Sequence, residues 1–428
     1  MTTPLWYNAA LALIKPLYQW RIKKRASDTE QLQQESLERF GPFQTPKNLH
    51  SIWFHVVSVG ETNAAQPLIE HYLKLGHPVL VTNTTKTGQA RAKSLFLKAP
   101  YKALFQAVYL PADQKKLIKT FFAKYQPKML VLVETELWPN LIAQAQQSQV
   151  PCVLVNARLS EKSAKGYGKV PSLTRAMLQG LKQLLAQDQA SLDRFVALGA
   201  HPQQSQVVGS IKFDIHAPQN FVDQAQQLKL DWQLQHRKII TLASTHAPEE
   251  QSLVNALKAY LLQDPKVVVI VVPRHPERFD AVYHTMQDLG LKIQRRSLGQ
   301  SIEADTQVYL ADSMGEMWLW YALSQVCFVG GSLNQPGGGH NILEPIALNL
   351  PTVVGPNYFN FQTIVDEFLD AHAVAVGANA EQVAEQLIQY VQQPELAKVM
   401  AEHAQLIMQK NAGSLETHIG VLDQYLTQ

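Results

Sequence analysis

Residues 328–344 read F-V-G-G-S-L-N-Q-P-G-G-G-H-N-I-L-E, and the apolar run Val326–Val329 that leads into them reads as a buried strand. The run breaks into Gly330 and Gly331, then into a loop with three more glycines, after which Asn341–Ala347 has helical spacing. Glycines let a backbone approach a ligand closely, and a helix start offers unpaired N–H groups and positive dipole to an anion. Asn341 and Glu344 stand three residues apart and so share one face of a first turn. A carboxylate there can accept both hydroxyls of a ribose while the turn's amides hold a phosphate. The stretch therefore suggests a nucleotide site without a Walker lysine. The competing reading is a glycine-rich loop that only closes a tight turn.

Outward from this stretch, short apolar runs alternate with helix-like segments. In the second half the expected strands are Ile239–Ala243, Val267–Val272, Gln307–Leu310, Val326–Val329 and Thr352–Val354. In the first half they are Ile52–Val59, Pro78–Thr82, Met129–Val133, Val153–Val155 and Gln206–Val208, with amphipathic stretches such as Asn63–Leu75 and Gly88–Leu97 between them. Strand–helix alternation of this kind predicts parallel sheets with helices on both faces. A chain of 428 residues exceeds what one core usually supports. The expectation is two doubly wound domains in tandem, with ligand sites at the carboxyl ends of the strands, facing a shared cleft. The expected boundaries are an N-terminal segment 1–25, a first domain 26–215, a polar, glutamine-rich linker 216–236 and a second domain 237–428, whose last helix could cross back.

Composition excludes several classes. With 46% hydrophobic and 17% charged residues the chain is globular, and a formal charge of +3 is too weak to argue for nucleic acid. Cys152 and Cys327 lie inside apolar strand-like runs and read as reduced thiols of a cytosolic protein. No C-x-x-C, H-x-x-x-H or clustered His/Asp pattern supports a metal.

At the N-terminus, Leu5-Trp6-Tyr7, Ala9–Ile14, Leu17-Tyr18 and Trp20 form an apolar, aromatic-flanked segment that ends in Arg21-Ile22-Lys23-Lys24-Arg25. Asn8, Lys15 and Pro16 interrupt it, so it lacks the roughly 20 clean apolar residues of a typical span. The expectation is a helix lying in or on a membrane, with tryptophans at the interface and the basic cluster on anionic headgroups. A helix docked on the protein's own core is the alternative.

Polar residues collect at the expected strand ends. Ser58-Val59-Gly60-Glu61 places a carboxylate where a general base would be needed, although a glutamate there can equally complement a helix dipole. Glu134-Thr135-Glu136-Leu137-Trp138-Pro139 sets two carboxylates at another strand end, for hydroxyl binding, positioning of the base or helix capping. Thr82–Gly88 and Asn156–Ser160 are hydroxyl- and amide-rich turns that either contact a polar acceptor or cap helices. Lys212 in Gly209–Asp214 could meet an anionic group. In the second half, Pro273-Arg274-His275 offers an arginine to a phosphate or carboxylate, Asp312–Glu316 offers amides and a carboxylate, and Ser244-Thr245-His246 completes the rim.

These motifs resemble those of a known family. S-V-G-E at 58–61, E-T-E-L-W-P-N at 134–140, N-A-R-L-S at 156–160, P-R-H-P-E-R at 273–278, M-G-E at 314–316 and H-N-I-L-E-P at 340–345 look like the 3-deoxy-D-manno-octulosonic acid (Kdo) transferases. With E-R-F-G at 38–41 the likeness covers nearly the whole chain. It implies a GT-B fold and a glycosyltransferase of lipopolysaccharide assembly that moves Kdo from CMP-Kdo to the lipid A precursor lipid IVA at the cytoplasmic face of the inner membrane. It implies no metal and no other cofactor. By the same resemblance the proton acceptor falls on Glu61, and CMP contacts fall on Pro273, Arg274, His275, Met314, Gly315, Glu316, Asn341, Ile342, Leu343 and Glu344. Ser58, Gly60, Glu134, Glu136 and Lys212 are left to bind the acceptor or to position the base. The chain departs from the family at Ser210, where asparagine is usual, and at Ala247-Pro248, which replace a more polar pair. A GT-B transferase or epimerase acting on a UDP-sugar and a silent membrane-bound nucleotide sensor are the competing functions.

Overall fold

A computed structural model describes residues 3–25 and 28–426. The chain divides into two compact units, Met1–Asp214 with Asn411–Gln428, and Ile215–Lys410. Each is built on its own seven-stranded sheet in which all the paired strands are parallel.

In the first unit the strands are β1 (Ile52–His55), β2 (Val79–Asn83), β3 (Phe105–Tyr109), β4 (Met129–Val133), β5 (Cys152–Ala157), β6 (Gln183–Ala186) and β7 (Ser205–Val207). Their order is β3-β2-β1-β4-β5-β6-β7, so the winding reverses between β1 and β4. Successive side chains of a strand point to opposite faces. Ile52 and Phe54 of β1 accordingly enter one core with Val79, Val81 and Val131, while Trp53 enters the other with Leu80, Leu130 and Leu132. Both faces are covered by helices, which is why β4 reads as an unbroken apolar run.

The second unit contains β8 (Lys238–Thr245), β9 (Val267–Pro273), β10 (Ile293–Arg295), β11 (Val308–Leu310), β12 (Val326–Val329), β13 (Thr352–Val354) and β14 (Ala375–Val376), in the order β10-β11-β9-β8-β12-β13-β14. Here the reversal falls between β8 and β12. Two doubly wound domains in one chain are the GT-B architecture that the resemblance implies.

The expected linker is corrected. Residues Gln219–Asp231 form a helix that lays Phe221, Ala225 and Leu228 on the second sheet, beside Ile239, Ile270 and Trp320. The thin apolar stripe on a polar background gives that helix a face to bury, so it belongs to the domain rather than joining two. At the other end of the chain, the helix Ser414–Asp423 belongs to the first unit and buries Val421 and Leu422 in its core. His418 Nε2 accepts the Asn156 N–H at 3.0 Å, Asn411 Oδ1 accepts the Ser210 N–H at 2.8 Å, and the Tyr72 hydroxyl donates to Asp423 at 3.0 Å.

The N-terminal segment is one helix, Leu5–Arg25, that continues through Pro16. Its start is tied to the first unit: the Tyr7 hydroxyl donates to Asp113 at 2.9 Å, and Asn140 donates to Asn8 at 3.0 Å. Yet Leu5 is 89% and Leu13 82% exposed, with Trp6, Ile14, Leu17 and Trp20 also outside. No helix among the described residues is long and apolar enough to cross a membrane.

Candidate active site

The carboxyl ends of the strands flanking a winding reversal open a crevice in sheets of this kind. In the first unit those strands are β1 and β4, and the sequence motifs at 58–61 and 134–136 follow them directly. β1 is shorter than its apolar run suggests, because Ser58 caps the helix Val59–Lys74 and its hydroxyl accepts the Glu61 N–H. Glu61, in the first turn, bends back: one carboxylate oxygen accepts the Val57 N–H at 2.7 Å and the other accepts the Ser58 hydroxyl at 3.1 Å. This is a capping-box arrangement shifted by one residue. Burial pushes the Glu61 carboxyl up to about 8, and the charges of Glu134 and Glu136 push the same way against those two hydrogen bonds. A Cβ added at Gly60 would meet nothing closer than the Ser58 hydroxyl at 3.8 Å, so the surface beside Glu61 is open.

Glu134 sits at φ 63°, a left-handed conformation that costs a non-glycine residue roughly 1–2 kcal/mol. Its carboxylate accepts the Lys212 ammonium at 2.6 Å. Glu136 accepts the Trp138 indole N–H at 3.1 Å and lies 3.8 Å from Nε2 of the buried His55. The first-domain residues singled out in the sequence therefore gather at one sheet edge. The turn at 82–88 acts as a cap: the Thr85 hydroxyl accepts the Gly88 N–H and donates to the Val57 carbonyl.

In the second unit the reversal lies between β8, which runs into His246, and β12, which runs into the glycine loop. Two corrections follow from the loop's geometry. The helix after it spans only Leu343–Ala347, and Asn341 is spent accepting the Leu343 N–H at 3.1 Å, so the expected dipole is weak. The glycines are demanded first by the loop's own packing. A Cβ at Gly330 would lie 2.7 Å from the Ser244 carbonyl oxygen and 2.8 Å from the Glu249 carboxylate. One at Gly338, where φ is 125°, would lie 2.2 Å from Asn360.

Glu249 is the residue that sequence reading missed. Buried at the start of a helix, it accepts the backbone N–H groups of His246 (2.8 Å), Gly331 (2.8 Å), Ser332 (3.0 Å) and Leu333 (2.8 Å). It thereby fixes the β8 turn and the glycine loop to one another. No local pattern points to it, because three of its four partners lie more than eighty positions away.

Arg274 follows β9 at the same edge; it is exposed and joins no ion pair among the described residues. His275 meets the ring of His246, whose Nε2 lies 2.8 Å from His340 Nε2, so three imidazoles link the 273–275 turn to the glycine loop. Burial, with positive neighbours behind it, pushes His340 down to about 4. Glu344 is half-buried without a cation among the described residues, and burial raises its carboxyl despite a hydrogen bond from Asn341. Ile342 and Leu343 are buried and serve as packing. Met314 and Gly315 are exposed after β11, whereas the carboxylate of Glu316, expected free for a ligand, is held by Arg296 in a two-pronged contact and by the Ser313 hydroxyl. No group of three potential metal ligands occurs among the described residues.

Residues 34–215 match the family described as 3-Deoxy-D-manno-octulosonic-acid transferase (kdotransferase), and residues 225–406 match Glycosyl transferases group 1. The 3-deoxy-D-manno-octulosonic acid transferase of Haemophilus influenzae is 32% identical, with 98% of each chain covered. That of Bordetella pertussis is 34% identical over 98% of this chain and 99% of its own. Among solved structures, the C-terminal CMP-Kdo binding domain of WaaA from Acinetobacter baumannii is 60% identical, with a TM-score of 0.45, over 45% of this chain and all of that one. With both halves matched and two relatives above 30% identity along nearly the full length, the chain belongs to the Kdo transferase family of glycosyltransferases.

Proposed function

We propose that the protein transfers Kdo, with inversion, from CMP-Kdo to a glucosamine hydroxyl of lipid IVA at the cytoplasmic face of the inner membrane, and that Glu61 is the general base. The observation that carries this reading is the Glu61 carboxyl, set at the winding reversal of the first sheet and raised to about 8 by burial. A carboxylate of raised pKa is a stronger base, suited to an alcohol that must lose its proton as it attacks. Glu61 takes that proton, the alcohol oxygen bonds to the anomeric carbon, and the bond from that carbon to the phosphate oxygen breaks to release CMP. The anomeric carbon bears a carboxylate and no hydrogen, so the transition state is oxocarbenium-like and negative charge grows on the departing phosphate.

Arg274 and the amides of the 314–315 and 337–341 turns are the groups of the second domain that can meet that charge. In this reading Glu344 accepts the ribose hydroxyls. Pro273 and His275 shape the arginine turn, and Glu316 holds its own turn through Arg296. In the first domain, Ser58 and Gly60 leave space beside the base, and Lys212 and Glu134 form a charged pair that can orient the incoming sugar. The test is incubation of the purified protein with CMP-Kdo and lipid IVA, with the product weighed and CMP release followed. A product heavier by Kdo is expected. Release of no CMP in the presence of lipid IVA, or thermal stabilisation by UDP rather than CMP, refutes the reading.

A further inference from the structure

Between the N-terminal helix and the first sheet lies a cavity of about 250 Å³ that no step above uses. One water needs only about 10–15 Å³ of such space, so this is no packing defect. Leu11, Ile14 and Tyr18 form its wall on the helix side, and Leu110, Ala112 and Trp138 form the wall on the sheet side. Its exposed walls are almost wholly apolar, and an apolar occupant would release water from them.

Two observations say which occupant. The first is charge. Lys15 lines the cavity with its ammonium 5.7 Å from the centre of the Phe40 ring, and among the described residues it has no anionic partner. Arg39, also on the lining, is already paired with Glu35. Asp113 also lines the cavity, but its carboxylate is taken up by the Tyr7 hydroxyl and the Asn140 and Leu141 N–H groups. An apolar slot whose one cation without an anionic partner is Lys15 fits an acyl chain attached to an anionic head. The second is position. The sheet-side wall comes from residues in the turns after β2, β3 and β4, at the same edge as Glu61. Three hydrogen bonds connect the two places: Arg39 donates to the Thr84 carbonyl at 2.6 Å, the Thr85 hydroxyl donates to the Val57 carbonyl at 2.8 Å, and the Val57 N–H donates to Glu61 at 2.7 Å.

We propose that this cavity binds one acyl chain of the phosphorylated lipid that bears the acceptor sugar, with Lys15 facing its phosphate. The inference rests on the lipid acceptor proposed above. It differs from simple anchorage, in which every chain stays in the bilayer: here one chain leaves the bilayer and sets the distance of the sugar from Glu61.

The experiment has two arms, both on the full-length protein. In the first, an acyl lipid phosphate with a diazirine at the chain end is photolysed in phosphatidylethanolamine vesicles containing the protein, and adducts are mapped by mass spectrometry. Adducts on residues 110–114 and on the inward side of 11–18 are expected. Adducts confined to Leu13, Leu17 and Trp20, which line no part of the cavity, overturn the proposal. In the second arm, kcat/KM is compared between the fully acylated acceptor and the same disaccharide stripped of its ester-linked chains. Ala112→Trp, which fills the cavity, should shrink that preference at least tenfold, since burial of even two methylenes is worth about that factor. Leu11→Trp fills it from the helix and stands in if Ala112→Trp fails to fold. A preference unchanged in the folded variant overturns the proposal. Adducts in the cavity of a protein that transfers nothing to either acceptor would uphold the acyl site and refute the acceptor reading instead.

Discussion

Replacing Glu61 by glutamine keeps the size of the side chain and removes only its ionisation. With the carboxyl near 8, about one tenth of the free enzyme carries the base form at pH 7 and about nine tenths at pH 9. Wild-type kcat/KM for the acceptor should therefore climb roughly tenfold across that interval. Glu61→Gln should lie about 10²–10⁴-fold lower at pH 9 and show no such climb. The same group leaves a mark on stability that needs no substrate. Between about 4.5, its ordinary value, and about 8, the folded protein holds a proton that the unfolded chain has released, so stability falls as pH rises through that window. The loss is at most about 5 kcal/mol, because a half-buried carboxylate keeps part of its water. Denaturant unfolding of both proteins at pH 5, 7 and 9 reads it: the variant should gain on the wild type as pH rises. Near-normal turnover of the variant at pH 9 would refute the base. Parallel stability curves would refute the desolvation argument beneath it.

Three further outcomes are expected. Glu249→Gln turns one of two oxygens, each accepting two N–H groups, into an NH2 donor and leaves two of the four converging N–H groups without an acceptor. It should cost the second domain about 2–4 kcal/mol and weaken CMP binding, as read by thermal melts with and without CMP; an unchanged melting point would refute the role. Glu344→Ala should raise the Kd for CMP at least several-fold by calorimetry, and an unaltered Kd would remove the ribose contact. Leu13→Glu with Leu17→Glu changes exposed positions, so stability should move by less than about 0.5 kcal/mol. Co-sedimentation with anionic vesicles should drop sharply, and sedimentation equal to the wild type's would show that this face of the helix does not meet lipid.

Strands buried on both sides were the legible part of the fold. Met129–Val133, Val326–Val329 and Thr352–Val354 have the bounds that their β-branched and leucine-rich runs suggest. Phe105–Tyr109, Gln183–Ala186, Ile293–Arg295 and Ala375–Val376 escaped, because a polar residue or a length of two to five leaves no periodicity to detect. The expected strand through Val59 was cut short because Ser58 caps a helix, a hydrogen bond that competes with apolar propensity. At the site, carboxylates next to strand ends could be found from spacing. Their partners could not: Lys212 meets Glu134 from 78 positions away, and Glu249 reaches a loop 82 to 84 positions distant. Contacts of that range are made by topology, and single-sequence patterns carry none of it.

The return of the helix Ser414–Asp423 to the first sheet has a consequence for how the protein is made. The backbone N–H groups of Asn156 and Ser210 acquire their partners from residues beyond 410, so the first domain lacks a wall until the second has been synthesised. At roughly 5–20 residues per second, that interval is on the order of ten to forty seconds. During it Leu185 and Ile211, which share a cluster with Val421 and Leu422, lack the cover those two supply. A nascent chain in this state exposes apolar surface that a holding chaperone would recognise, and the first domain closes only once residues 414–423 have been made.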